Sequence, residues 1–396
     1  MNERASLLPL YLATATIWTV GNGVVPLIPI HASDLGLAPS AIGALQAGFY
    51  ASVIVGTLTG GRLVRDRRSA SVWMQVGAVG GGLCFLWLGL VPGVAALVLG
   101  HLLGWYLLGM TLCLAKLTAG AMADPERRTT ALVVLAGTSA VGALLGGAFT
   151  GALMDRYGFG TLCLVLSGLC FVAVAWVRTV PGTDQGGAVV RINGRGRFEW
   201  ASGAAVASMF LLSVAAFTCR FSLPLVMDAS GATAHSVSLA SALAAGACLV
   251  LIGALQFERM RRLRPGVLVA CATGPALGLW MLSGAKEWGD YALASSGVSA
   301  FNFIGAGLAA GVLVAKVSKR VRSRRLVAFT SAGWGGGLVG YGLAGLSLEH
   351  FGLAMTLDIG IGLGSVGAVG LVGALLLLHR HSSASSLAGS TLSGHE

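Results

Sequence analysis

The chain has 396 residues, of which 55% are hydrophobic and only 10% charged, with a mean hydropathy of +0.82. A soluble domain carries about 25% charged residues to keep its surface solvated, so this composition excludes a string of soluble domains and points to a polytopic membrane protein. The net charge of +11 does not point to nucleic acid, because the basic residues fall in short clusters between long apolar runs.

A helix crossing the hydrocarbon core needs about 20 apolar residues. Polar breaks divide the chain into twelve such runs: 6–30, 40–61, 70–90, 94–117, 130–153 and 160–178, then 201–227, 236–257, 266–284, 291–315, 326–347 and 354–378. All are expected to be helices, because backbone groups in lipid need internal partners and no alternating barrel pattern is present. The first run is too long for a signal-peptide core, and no cleavable signal is expected. The seven cysteines lie inside apolar runs without a CxxC pair. They are expected to be free, buried and without a metal.

Basic residues set orientation. With the N-terminus in the cytoplasm, 23 Lys and Arg fall in cytoplasmic segments, while only Arg156 and Lys286 fall outside and Arg220 lies within a span. The expected protein is therefore a multi-pass protein of the cell (inner) membrane with both termini cytoplasmic. Val180–Glu199 is the longest polar stretch and reads as a linker. The expected organisation is a six-helix bundle over 1–179, a cytoplasmic linker over 180–199, a second six-helix bundle over 200–380 and a disordered tail over 381–396.

The halves repeat. A shift of 198 lays Pro26 on Pro224, Leu27 on Leu225, Ser40 on Ser238 and Gly48 on Gly246. A shift of 194 lays Gly151–Gly158 over Gly345–Gly352, both at the end of the fifth helix of a half. Parallel six-helix repeats form a transporter architecture with the substrate site between them near the midplane.

Twelve spans, a central linker and duplicated halves resemble the major facilitator superfamily. The segment Gly60–Arg68 is similar to that family's Gly-x-x-x-Asp-Arg-x-Gly-Arg-Arg loop, with the Asp66-Arg67 pair present and Gly61 one place from the family spacing. In the family this loop latches the halves together, so the resemblance implies a conformational role for Gly61, Asp66 and Arg67. The run from Gly137 to Gly151 looks like the glycine motif of antiporters without its Gly-Pro step. Its pairs Gly142/Gly146 and Gly147/Gly151 are small-xxx-small pairs that let helix backbones approach closely, and a sliding contact at a mobile interface is expected there. The turn Asp155-Arg-Tyr-Gly158 is common in the family and is expected to be structural.

Ionisable residues at bilayer depth are costly and become functional candidates. Arg220, Asp358 and His101 qualify, the first two at similar depth, which suggests either an Arg220–Asp358 ion pair or a charge in the cavity. By the resemblance, helices 1, 4, 7 and 10 line the central path, flanked by 2, 5, 8 and 11. That makes Trp18, Asn22, Gln46, Tyr50, His101, Trp105, Arg220, Asn302 and Asp358 candidate substrate-binding residues. Phe49, Tyr106, Phe301 and Phe303 lie on the same spans.

No catalytic residue, metal site or cofactor is expected, and proton coupling is left open because the spans of the first half contain no Asp or Glu. P-loop, HExxH and GxSxG motifs are absent from the sequence. The expected function is secondary transport of a small organic molecule by alternating access, with efflux of an amphipathic compound favoured over uptake of a metabolite or siderophore-like ligand. A polytopic sensor or intramembrane enzyme is the alternative of another class. The expected partners are a small-molecule substrate and the lipid bilayer, with the chain acting as a monomer.

Overall fold

The computed structural model describes the backbone of residues 3–63, 67–122, 128–180, 200–255, 264–316 and 322–392, and these are the described residues below. Asp66 and the linker 181–199 lie outside them. So does the side chain of Arg67, although its backbone opens a helix. Among the described residues every regular element is helical. They are α1 (Glu3–Val24), α2 (Ile28–Asp34), α3 (Pro39–Leu63), α4 (Arg67–Leu90), α5 (Val94–Met122), α6 (Arg128–Arg178), α7 (Trp200–Ala229) and α8 (Ala234–Ala254), followed by α9 (Arg264–Gly284), α10 (Trp288–Ala300), α11 (Ala306–Lys316) and α12 (Arg322–Leu392). A 3-10 turn, Val25–Leu27, joins α1 to α2, and a π-helical segment, Phe301–Gly305, joins α10 to α11.

Ten of these helical stretches are long and apolar enough to cross a membrane. Two are far too long for one crossing: Val134–Arg178 and Ala328–Leu377 span 45 and 50 residues, whereas the hydrocarbon core is about 30 Å thick and a helix rises about 1.5 Å per residue. Each is interrupted by one glycine with non-helical angles, Gly158 (φ 80°, ψ 168°) and Gly352 (φ 79°, ψ 178°). The neighbours on either side of these glycines run in opposite directions. Gly142 and Gly146 climb past Trp18 and Gly23 of α1, whereas Gly160 and then Ser167 descend past Gly89 and Gly82 of α4. Likewise Gly336 and Gly340 climb past Ser213 and Val214 of α7, and Gly360, Gly364 and Gly367 descend past Thr218, Ala215 and Leu212. The chain therefore reverses at both glycines, giving eight single crossings and two double ones, twelve spans among the described residues.

The spans pack as two matching bundles. In the first half, span 1 packs on 5, 2 on 4, and 3 on both 4 and 6; in the second, 7 packs on 11, 8 on 10, and 9 on both 10 and 12. Across the halves, span 5 packs on 8 and span 11 on 2, the same contact related by the internal repeat. Most span ends agree with the expected runs to within a few residues. The first span goes on to Asp34 because the 3-10 turn at Pro26 carries the chain onward instead of ending it. The last helix runs on to Leu392, past residue 381.

Candidate functional site

Pro26 and Pro224 sit at matched positions in spans 1 and 7. A proline has no N–H, so the turn before it leaves carbonyls without helical partners. In span 1 the Val25 carbonyl, four residues before Pro29, accepts from Gln46 Nε2 at 3.4 Å, and the nearby Gly23 carbonyl accepts from the Thr150 hydroxyl at 3.0 Å. Pro26 and Pro224 both line a cavity between the halves. One turn before each proline stand Asn22 and Arg220, which face the same cavity. The shift of 198 that superposes the prolines also carries Asn22 onto Arg220, so the two polar groups at the centre are counterparts in the repeat.

The rest of the wall is apolar with a few hydroxyls. Val25, Leu223, Val237, Val298 and Phe303 supply surface, and Ser241, Ser295 and Ser299 supply hydrogen-bonding groups. Asn22 Nδ2 donates to the Ser139 carbonyl at 3.1 Å, which fixes its amide against span 5. The Arg220 guanidinium lies over the Phe217 ring, 5.8 Å from its centroid, and within electrostatic reach of the Tyr50 and Tyr341 hydroxyls. Among the described residues lining the cavity none is acidic.

Several sequence candidates sit elsewhere. Asp358 is exposed on the outer surface of span 12, and among the described residues no ion pair joins it to Arg220; equal depth placed them together, but they face different sides of the bundle. His101 is 1% exposed inside the first half, where its ring stacks on Phe49 at 4.9 Å and its Nδ1 lies 3.0 Å from the Leu97 carbonyl. His31 and Phe159 extend this stack, with centroids 3.9 Å apart. Trp105 packs against Gly21 of span 1, and Gln46 is buried behind the Pro26 turn. Trp18 backs onto Gly142. Asn302 lies in the π segment with its Nδ2 buried and unpartnered among the described residues, while its neighbour Phe303 faces the cavity. Tyr50 belongs to an aromatic group with Phe217, Trp334 and Tyr341 that joins the halves.

The glycine pairs divide their work. Gly142 and Gly146 press on Trp18, Thr19 and Gly23 within the first half, and Gly147 and Gly151 press on Ala234, Ser238 and Ala242 of the second. A Cβ at Gly147 would meet the Ser238 carbonyl oxygen at 2.5 Å, and one at Gly146 the Thr19 carbonyl oxygen at 2.6 Å. The repeat supplies the opposite contact, Gly345 against Gly43 and Pro39. Gly61, by contrast, is exposed, and a Cβ there would meet open space.

Two carboxylates complete the closure. Asp155, at the end of span 5, accepts from the backbone N–H groups of Ala234 (3.0 Å) and His235 (2.8 Å), the first residues of α8. Glu349, 194 residues on, accepts from the backbone N–H of Ser40 (3.0 Å) at the start of α3. Charge-assisted bonds to the free N–H groups of a helix start also meet the positive end of its dipole. The shift of 194 lays Asp155 on Glu349 in the sequence; what the sequence does not carry is that the partners of both carboxylates lie in the other half.

Two bundles related by an internal repeat, a cavity between them and crossed contacts of spans 5 with 8 and 2 with 11 are a transporter's geometry, and the family model described as Major Facilitator Superfamily matches residues 10–308. This chain belongs to the Major Facilitator Superfamily. The fold agrees with solved members. The chain is similar to a bacterial homologue of the human lysosomal transporter Spinster in an inward-facing, unoccupied conformation (TM-score 0.66, 14% identity, 95% of this chain and 94% of that one). It is also similar to the same homologue in an inward-facing, occupied conformation (0.65, 16%, 97% and 96%). A POT family transporter in complex with a thioalcohol-conjugated peptide is another match (0.70, 11%, 95% and 96%). No curated protein matches the sequence significantly. The chain is a multi-pass membrane protein with the fold of a superfamily of transporters rather than of an enzyme.

Proposed function

We propose that this superfamily member exports a small amphipathic organic molecule by alternating access, with the cavity around Asn22 and Arg220 as its binding site. The observation that carries the reading is the pairing of that cavity with a closure made of the crossed contacts 5–8 and 2–11. Those contacts run from the Asp155 and Glu349 end of the molecule as far as Leu144 against Gly246 and Tyr50 against Gly337. On the side of the chain termini, a Cβ at Gly137, Gly253 or Gly307 would meet open space among the described residues. The basic residues of the loops support a cytoplasmic position for that side, so the cavity loads from the cytoplasm. An apolar wall with a few hydrogen-bonding groups suits an amphipathic ligand.

The test is accumulation in cells that express the chain or a Ser241→Trp variant that fills the cavity, followed by untargeted mass spectrometry. Export predicts compounds that are depleted in wild-type cells and restored by the variant. Compounds that rise with the wild type and fall with the variant would reverse the direction. An unchanged profile would remove transport through this cavity.

A further inference from the structure

We propose that the substrate carries an anionic group and that Arg220 binds it; the inference rests on the cavity reading above and adds the chemical class of its ligand. Arg220 is a cation on a membrane span facing the cavity, and a charge in such surroundings is costly unless paired or solvated. Here the described protein supplies no counter-charge. Of the described acidic groups, Asp34, Asp155, Asp228, Glu287, Glu349 and Asp358 are exposed, Asp290 is half-buried and accepts from the Lys286 and Glu287 backbone N–H groups, and none lines the cavity. The Phe217 ring and the Tyr50 hydroxyl lie beside the guanidinium, so they support its position without neutralising it.

While the cavity is open, water can solvate the guanidinium. When the halves close around a ligand that water leaves, and the missing negative charge must come from the ligand. A carboxylate or phosphate accepts two parallel N–H bonds from a guanidinium. Asn22, whose amide is held by Ser139, stands at the matched position on span 1 and offers a second donor. The Ser295 and Ser299 hydroxyls lie one turn apart on one helix face of the same wall. Val25, Leu223, Val237, Val298 and Phe303 would receive the apolar body of the same molecule. The ligand that fits is an amphipathic solute with one anionic head.

The experiment titrates the purified protein in phosphatidylcholine nanodiscs with three probes that share one body, 4-phenylbutyrate, 4-phenylbutanol and 4-phenylbutylammonium, with protein-free discs as blanks. The wild type and Arg220→Lys should bind the carboxylate about tenfold or more tighter than the alcohol, the scale of one charge-assisted interaction, and the ammonium most weakly. Arg220→Gln should lose the preference while keeping the alcohol affinity, and Ser241→Trp should lose all three. Equal binding of the probes by the wild type, or a preference that survives in Arg220→Gln, overturns the anionic class. If Ser241→Trp still removes binding in that case, the cavity reading stands without it; if Ser241→Trp changes nothing, the cavity reading falls as well. Adding phosphatidylglycerol to the discs should leave the carboxylate affinity unchanged, and Arg220-dependent competition would replace the solute by an anionic lipid headgroup.

Discussion

Gly146 and Gly147 share a peptide bond and face two different helices. A leucine at Gly146 would drive span 5 away from Thr19 and Gly23 inside the first bundle, and overpacking of this kind costs about 1–3 kcal/mol or more. Gly146→Leu is therefore expected to lower the thermal midpoint in detergent. Gly147→Leu would push on Ser238 and Ala242 of the other bundle, so it should leave the midpoint close to wild type while weakening the closure. Melting curves of the two variants separate these expectations, and equal losses would place both residues in one interface. The sequence pattern showed that span 5 presents small residues to close neighbours, because spacing by four is visible in one chain. It did not show that the two pairs have different partners, which depends on helix rotation. The bonds of Asp155 and Glu349 to the opposite half were not legible for a related reason: a carboxylate capping a distant helix start has no local signature.

At the scale of elements, the reversals at Gly158 and Gly352 occupy backbone angles that only glycine adopts readily, and side chains held there cost about 1–3 kcal/mol. A Cβ would meet open space at both positions, so the penalty is conformational alone. Gly158→Ala and Gly352→Ala should each lower stability by about that amount in denaturation measurements, without loss of the fold. The π segment makes a second prediction. Asn302 Nδ2 is buried there without a partner among the described residues, and an unsatisfied donor costs about 1–3 kcal/mol. Asn302→Leu should raise the thermal midpoint, and a fall would mean that the amide is bonded. Helix number and ends were legible because twenty-residue apolar runs are unmistakable. The missed features were the 3-10 turn and the π segment, which keep the composition of ordinary helix. The Arg220–Asp358 pair failed because depth along a helix says nothing about its facing direction.

For the whole molecule, the internal repeat was readable as two offsets, and the structure gives those offsets a mechanical meaning. The shift of 198 superposes the Asn22/Pro26 and Arg220/Pro224 turns at the cavity, and the shift of 194 superposes the glycines and carboxylates of the closure. Because the contacts 5–8 and 11–2 are copies of one another, the alternating access proposed above predicts that rocking one bundle against the other opens both together. The measurement closest to this claim is the distance between spin labels at Ala38→Cys and His350→Cys, two exposed positions beside the Ser40–Glu349 bond, on a background with the native cysteines replaced. Double electron–electron resonance should find a dominant short distance and a minor longer one. The longer population should grow in Gly147→Leu and in the paired variant Asp155→Asn, Glu349→Gln. A single short distance, unchanged in every variant, would contradict alternating access through this closure.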